Sequence, residues 1–310
     1  MRVLVTGSSG WLGQTLVPRL RAEGHGVVGL DPKPGTRTDI VGTIADRALV
    51  QSAIGDHRIE AIVHAGALHK PNIETHARED FLDVNVRGTF NLLEEAAAQK
   101  LSRFVFTSTT SLMVSRQIRE AKGAAAAWLT EEFNPQPRNI YGVTKLAAEH
   151  LCRLTHELHG LPVMVLRTAR FFPEEDDMAH AIGLSGPNTK ANEFLFRRLT
   201  VDDVAEAHVT ALAKAPEIGF DTFIVCVTPP FHPDDCSGLM TDAPSVVAAY
   251  FPDYPAIYAQ LGWTMFAKID RIYDPSRAAR RLGFRAKTDF RAVLDELKAG
   301  RMPGYLTTSG

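Results

Sequence analysis

The 310-residue chain predicts a doubly wound α/β domain, a parallel sheet covered by helices on both faces, with a smaller irregular carboxyl-terminal lobe. Three observations predict it. Short apolar runs alternate with amphipathic stretches through residues 1–170, a glycine-rich turn follows the first run, and the composition is that of a globular chain. Hydrophobic residues at 45% and charged residues at 23% exclude a disordered or fibrous protein.

The strands come first. Val3-Leu4-Val5, Val27-Val28-Gly29-Leu30, Ala61-Ile62-Val63, Phe104-Val105-Phe106 and Val163-Met164-Val165-Leu166 are short, β-branched or aromatic, and bounded by turn residues. Such runs suit strands buried on both faces. Between them, Phe81 to Ala98 and Tyr141 to His159 carry apolar residues at helical spacing. Alternation of this kind demands right-handed crossovers and a parallel sheet.

Beyond Arg170 the pattern loosens. The segment 171–190 reads as an acidic and then Gly/Pro/Asn-rich loop, and Phe194 to Leu199 as a short strand. Thr200-Val201-Asp202-Asp203 is a capping box opening a helix to about Ala215, and Phe220 to Val227 reads as a further strand. One helix is expected near Ala243 to Tyr250, and another between the Asp274-Pro275 start and the Gly283 stop. Residues 114–139 include an alanine-rich run that reads as helical. The domain assignment is 1–170, completed by about 196–227, with 171–195 and 228–310 as the substrate lobe.

Thirty-four Lys and Arg against 36 Asp and Glu leave a net charge of −2, so no field of one sign recruits nucleic acid or an anionic membrane. Cys152, Cys226 and Cys236 form no C-x-x-C or Cys/His cluster, so no metal site is expected and the reduced cytoplasm is the expected compartment. Met1-Arg2 leads directly into Val3, without the pattern of an export signal, and no apolar run reaches the roughly 18 residues that span a bilayer.

The strongest chemical signal is Thr6-Gly7-Ser8-Ser9-Gly10-Trp11-Leu12-Gly13 between the first strand and a helix. A strand running through glycines into a helix start turns backbone N–H groups and the positive helix end toward a pyrophosphate. Asp31 ends the second strand where a carboxylate accepts both ribose hydroxyls of a dinucleotide. Its charge opposes a 2′-phosphate, which favours NAD, while Lys33 and Arg37 keep NADP as the lesser alternative.

Tyr141 and Lys145 are four residues apart, on one helical face. A neighbouring cation together with the positive nicotinamide ring is expected to lower the phenol from its ordinary pKa near 10 and make it a usable base. The run Thr107-Ser108-Thr109-Thr110-Ser111 ends a buried strand at the edge where ligands of parallel sheets sit, although hydroxyl runs also simply cap loops.

Taken in order, TGSSGWLG, IVHAGA, NVRGTFNLLEEA, FVFTSTT and YGVTK resemble the extended short-chain dehydrogenase/reductase family, the NAD-dependent sugar epimerases and dehydratases. The resemblance covers Met1 to about Ala215 and returns at 273–284. It implies a Rossmann-like fold with Tyr141 as catalytic acid/base, Lys145 on the nicotinamide ribose, and Thr109 as catalytic hydroxyl, with Ser108 the alternative one register step away. It implies cofactor contacts from Gly7, Ser9, Gly10, Trp11, Leu12, Gly13, Asp31, Ala65, Gly66, Ala67 and Asn85, and from Thr43 and Ile44 beside the adenine, where the family commonly has Asp-Ile. A homodimer through the helices 81–98 and 141–159 is also implied.

Departures narrow the reaction. Thr110-Ser111 stand where sugar-nucleotide dehydratases place an Asp-Glu pair, which argues against dehydration. Arg170 stands where an Asn is common and offers a group for phosphate or carboxylate, and His69 follows its strand closely enough to touch substrate together with Ser108 and Thr110. The expected function is an NAD-dependent sugar or nucleotide-sugar epimerase. The alternative is a dehydrogenase of a free sugar or sugar acid, resembling uronate dehydrogenase, and a non-enzymatic cofactor sensor ranks third.

Overall fold

The computed structural model describes residues 1–173 and 183–307. Its strands in chain order are β1 (Arg2–Thr6), β2 (Gly26–Asp31), β3 (Ile40–Val41), β4 (Ala61–His64), β5 (Arg103–Thr109), β6 (Ala127–Leu129), β7 (Val163–Thr168), β8 (Phe220–Val225) and β9 (Arg271–Tyr273). The main sheet is parallel throughout, in the order β3-β2-β1-β4-β5-β7-β8. The chain winds outward from β1 to β3 and then in the opposite direction from β4. A crevice therefore opens at the carboxyl ends of β1 and β4, where ligands of doubly wound folds bind.

The principal helices are α1 (Trp11–Ala22), α2 (Arg47–Asp56), α3 (Gly88–Ala98), α4 (Ile140–His159), α5 (Gly186–Glu193), α6 (Val201–Ile218) and α7 (Phe290–Lys298). Pleating divides the core between the two faces of the sheet. Val3 and Val5 pack with Leu16 and Leu20 of α1 and Val204 and Leu212 of α6, whereas Leu4 and Leu30 pack with Ile54 of α2, Leu92 of α3 and Ala148 of α4. A further core gathers Phe194, Phe196, Phe231, Leu239, Tyr258, Ile272, Phe290 and Val293, while Tyr273, Ala278, Leu282 and Phe284 return to the core of the sheet.

Several expectations are corrected. Residues 194–199 make no strand but a turn with one bridge, Arg170 to Arg198. The alanine-rich run is not a helix: after the single turn Arg116–Arg119, residues 127–129 pair with β9 and bury Leu129. Tertiary pairing outweighs the helical preference of alanine there. The Gly/Pro/Asn-rich segment contains α5, started by Ser185, whose hydroxyl accepts from the Asn188 N–H. The helix ahead of α3 passes through a π-turn at Leu82–Arg87. At α6 Thr200 caps Asp203 N–H, but the Asp203 carboxylate accepts from the Lys287 and Thr288 N–H groups and so fastens the carboxyl-terminal segment. The acidic residues 174–177 lie outside the described residues. Among the described residues no helix is long and apolar enough to cross a membrane.

Candidate active site

Gly7 has φ +74°, and a Cβ there would stand 2.7 Å from the backbone nitrogen of Gly66. A Cβ on Gly13 would collide with the Gly7 carbonyl. The two glycines let β1 and the loop after β4 approach, and bring the start of α1 onto that turn. Gly10 precedes α1 with no side-chain cap, so side chains leave the first-turn N–H groups unclaimed at the carboxyl edge of the sheet. Trp11 is 38% exposed, but Leu12 is a core residue whose side chain is withdrawn from the crevice. Ala65, Gly66 and Ala67 line the facing loop, with Gly66 N–H donating to Thr6 Oγ1 at 3.1 Å.

Asp31 is held beside this turn, its Oδ2 accepting from Ser9 N–H at 3.1 Å and its Oδ1 from Lys33 N–H at 2.8 Å. The following loop folds back on the glycine turn through Thr38, whose hydroxyl is 2.7 Å from those of Ser8 and Ser9. Thr43 and Ile44 do not act as a pair. The Thr43 hydroxyl accepts from Ala45 N–H in an exposed turn, while Ile44 is buried against Gly88, which places its side chain in the core rather than beside an adenine. The Asn85 amide brackets the Leu68 backbone at 2.9 Å in both directions and donates to Thr144, so it braces the post-β4 loop.

Helix α4 begins behind Asn139, whose side chain accepts from Gly142 N–H at 2.9 Å. That cap sets Tyr141 in the first turn and Lys145 in the second. The Tyr141 side chain meets Thr109 at the end of β5. Burial pushes the phenol up to about 12, and Thr109 only partly opposes it. Lys145 is 3% exposed, and burial takes its ammonium down to about 7, with Cys152 and Glu149 opposing. Burial penalises both charges.

Thr109 and Ser108 separate by the pleat. Ser108 donates to Glu149 Oε1 at 2.5 Å, two turns along the same helix from Tyr141. Thr110 reaches the Thr168 carbonyl at 3.4 Å. His69 follows β4 and stacks on Phe172, which follows β7, at 5.0 Å with rings 10° apart. Since β5 lies between those strands, the pair arches across the end that carries Thr109. Arg170 enters a buried cluster: its Nε is 3.7 Å from Glu193, beside Arg197 at 2.9 Å and Arg198 at 2.5 Å. Burial alone would raise the Glu193 carboxyl, but Arg198, Arg197 and Arg170 together hold it below its ordinary value. Among the described residues no group of three or more His, Cys, Asp and Glu is placed to hold a metal ion.

Sequence reasoning missed Glu149 and Arg167, which pair through Arg167 Nη2 at 2.8 Å with both side chains 8% exposed. The signal was available, because Glu149 repeats the four-residue step from Tyr141 to Lys145.

Residues 3–225 match the model of the NAD dependent epimerase/dehydratase family. The chain belongs to this family. It is 32% identical over 187 residues to the low-salt glycan biosynthesis protein Agl12 of Haloferax volcanii, covering 56% of this chain and only 57% of that protein. It is 28% identical over 243 residues to UDP-glucose 4-epimerase of Mycolicibacterium smegmatis, covering 68% of this chain and 73% of the relative. A short-chain dehydrogenase/reductase superfamily protein from Agrobacterium tumefaciens with bound NAD has the same fold, with TM-score 0.68, 23% identity, and 96% of each chain covered. The chain is thus an enzyme of an NAD-dependent family. The uncapped helix start, the Gly7–Gly66 approach and the fixed Asp31 carboxylate fit that cofactor.

Proposed function

We propose that the protein is an epimerase that acts through NAD at a carbinol carbon of a nucleotide sugar. The observation that carries this reading is the meeting of the Tyr141 phenol with Thr109, one helical turn from buried Lys145. Thr109 fixes the reacting hydroxyl oxygen, and Tyr141 takes its proton and later returns it. Lys145 holds the ribose and supplies the cation that offsets the phenolate. The Gly7 turn and Asp31 would hold NAD, which when bound would supply the hydride acceptor and a positive ring that favours the phenolate. Thr110 and Ser111 offer no carboxylate for eliminating water, which argues against dehydration.

The dehydrogenase alternative loses one support, because Arg170 belongs to the Glu193 cluster. It retains the replaced adenine contact at Thr43-Ile44. The nucleotide released from denatured protein separates the two. Near-stoichiometric NAD together with interconversion of UDP-glucose and UDP-galactose is the result expected of the epimerase. Empty protein that forms NADH from free sugars would overturn it. Tyr141→Phe should abolish turnover while NAD binding persists, and an active variant would remove Tyr141 from the mechanism.

The same reading includes a cytoplasmic homodimer. Phe90 on α3 and Val143, Leu154 and Leu158 on α4 are large apolar residues 39%, 48%, 48% and 66% exposed on adjoining helices, an area suited to pairing about a two-fold axis.

A further inference from the structure

Glu149 lies two turns beyond Tyr141 on the inner side of α4 and is 7% exposed. Arg167 on β7 grips it with two donors, Nε to Oε1 at 3.1 Å and Nη2 to Oε2 at 2.8 Å. Ser108 on β5 donates to the same Oε1 at 2.5 Å, and its own carbonyl accepts from Thr168 Oγ1 at 3.0 Å. Helix α4 and strands β5 and β7 are therefore locked together at one carboxylate, directly beneath the residues that carry the chemistry. Ser108 is bonded to Thr109, so whatever holds Ser108 also limits where the Thr109 hydroxyl can stand.

The lock also borders Lys145. The groups facing that ammonium are the Phe106 ring of β5 at 4.0 Å, His64 of β4, and Glu149 and Cys152 of α4. His64 is kept neutral by burial and then by Lys145 itself, its ring nitrogens 2.7 Å from Thr6 Oγ1 and 2.9 Å from Thr89 Oγ1. Burial pushes the Cys152 thiol up, which leaves it uncharged at neutral pH. Glu149 remains as the neighbour whose negative charge favours the ammonium, and Arg167 with Ser108 satisfies the rest of its hydrogen-bonding capacity.

We propose that Ser108, Glu149 and Arg167 form a positioning brace that holds Thr109 against Tyr141 and sets a carboxylate one helical turn from the Lys145 ammonium. The inference rests on the reading above, in which Tyr141, Lys145 and Thr109 do the chemistry. All three brace residues are buried. A purely structural ion pair would influence folding alone, whereas the brace also governs the charge of Lys145.

The test is the titration of Lys145 in the full-length protein with lysine labelled by carbon-13 and nitrogen-15. Its resonance is assigned by its loss in Lys145→Met. Glu149→Gln removes the carboxylate and leaves Arg167 uncompensated, so the Lys145 midpoint should fall by about one pH unit or more, equivalent to a tenfold loss of the ammonium. The alkaline limb of the UDP-glucose epimerisation profile should move with it. Glu149→Asp should recover most of the midpoint. Ser108→Ala should leave the midpoint in place and lower kcat on the order of tenfold at unchanged KM, as expected from a small displacement of a reacting group.

A folded Glu149→Gln protein with an unmoved Lys145 midpoint overturns the proposal. If unpaired Arg167 prevents folding, Glu149→Gln/Arg167→Gln replaces it, with a smaller fall expected because the carboxylate is the member of the pair that acts on Lys145. No fall in that variant is equally fatal. Turnover by Tyr141→Phe would sink the functional reading without altering the titration, so the two failures are distinguishable.

Discussion

The Lys145 ammonium stands 4.0 Å from the centroid of the Phe106 ring, inside the sheet-facing side of α4. A cation over an aromatic face keeps part of the stabilisation it loses with water. The remainder of the desolvation cost explains why Lys145 falls to about 7.

That depression gives a stability prediction with a definite sign. The unfolded lysine titrates near 10.5 and the folded one near 7, so the penalty is fully present below about pH 7 and is relieved as pH rises toward 10.5. Lys145→Met should therefore raise Tm of the cofactor-free protein most at pH 6–7, and its advantage should shrink toward pH 10. An advantage independent of pH would show that the ammonium is solvated.

His208 predicts an acid limb. Burial lowers it to about 4, with its hydrogen bond to the Val204 carbonyl opposing, and Thr107 occupies its other ring nitrogen at 2.7 Å. Its unfolded form takes a proton below about 6.5, so stability is complete above that pH and is lost as pH falls toward 4, by about 3 kcal/mol in all. Urea unfolding across this range should show a shallower pH slope for His208→Gln than for the parent.

Gly7→Ala should destroy NAD binding. The left-handed backbone costs a side chain about 1–2 kcal/mol, and the added carbon meets Gly66 backbone at 2.7 Å. Gly24→Ala, with a similar φ of +82° and open space around it, is the control and should retain binding. Calorimetric titration with NAD checks both.

Asp31→Ala should relax the preference for NAD over NADP, because the carboxylate that would oppose a 2′-phosphate is gone while Lys33 and Arg37 remain. The ratio of the two dissociation constants measures it. An unchanged ratio would assign Asp31 only to anchoring the Ser9 and Lys33 amides.

Leu158→Glu should dissociate the proposed dimer. Light scattering of the eluting protein should show one chain's mass for the variant and twice that for the parent. A parent that runs at one chain's mass would refute the assembly.

The strands and long helices were legible because their periodicities are local, and Val3-Leu4-Val5 or Tyr141 to His159 declare themselves without partners. The glycine turn was legible for the same reason, since Gly7, Gly10 and Gly13 are demanded by a close approach that short spacing already describes. Contacts with partners far along the chain were not legible: Asn85 holds Leu68 and Thr144, Ile44 packs on Gly88, and Arg170 joins Glu193.

The sequence by itself determined the sheet, the cofactor turn and the family, because backbone geometry and hydrophobic period are set within a few residues of each position. Only the tertiary structure decided that Ser108 is taken up by Glu149, that residues 127–129 form a strand, and that Lys145 is buried. These outcomes turn on which face of a pleat meets which helix and on how much water remains there. Both are properties of packing, absent from any single segment.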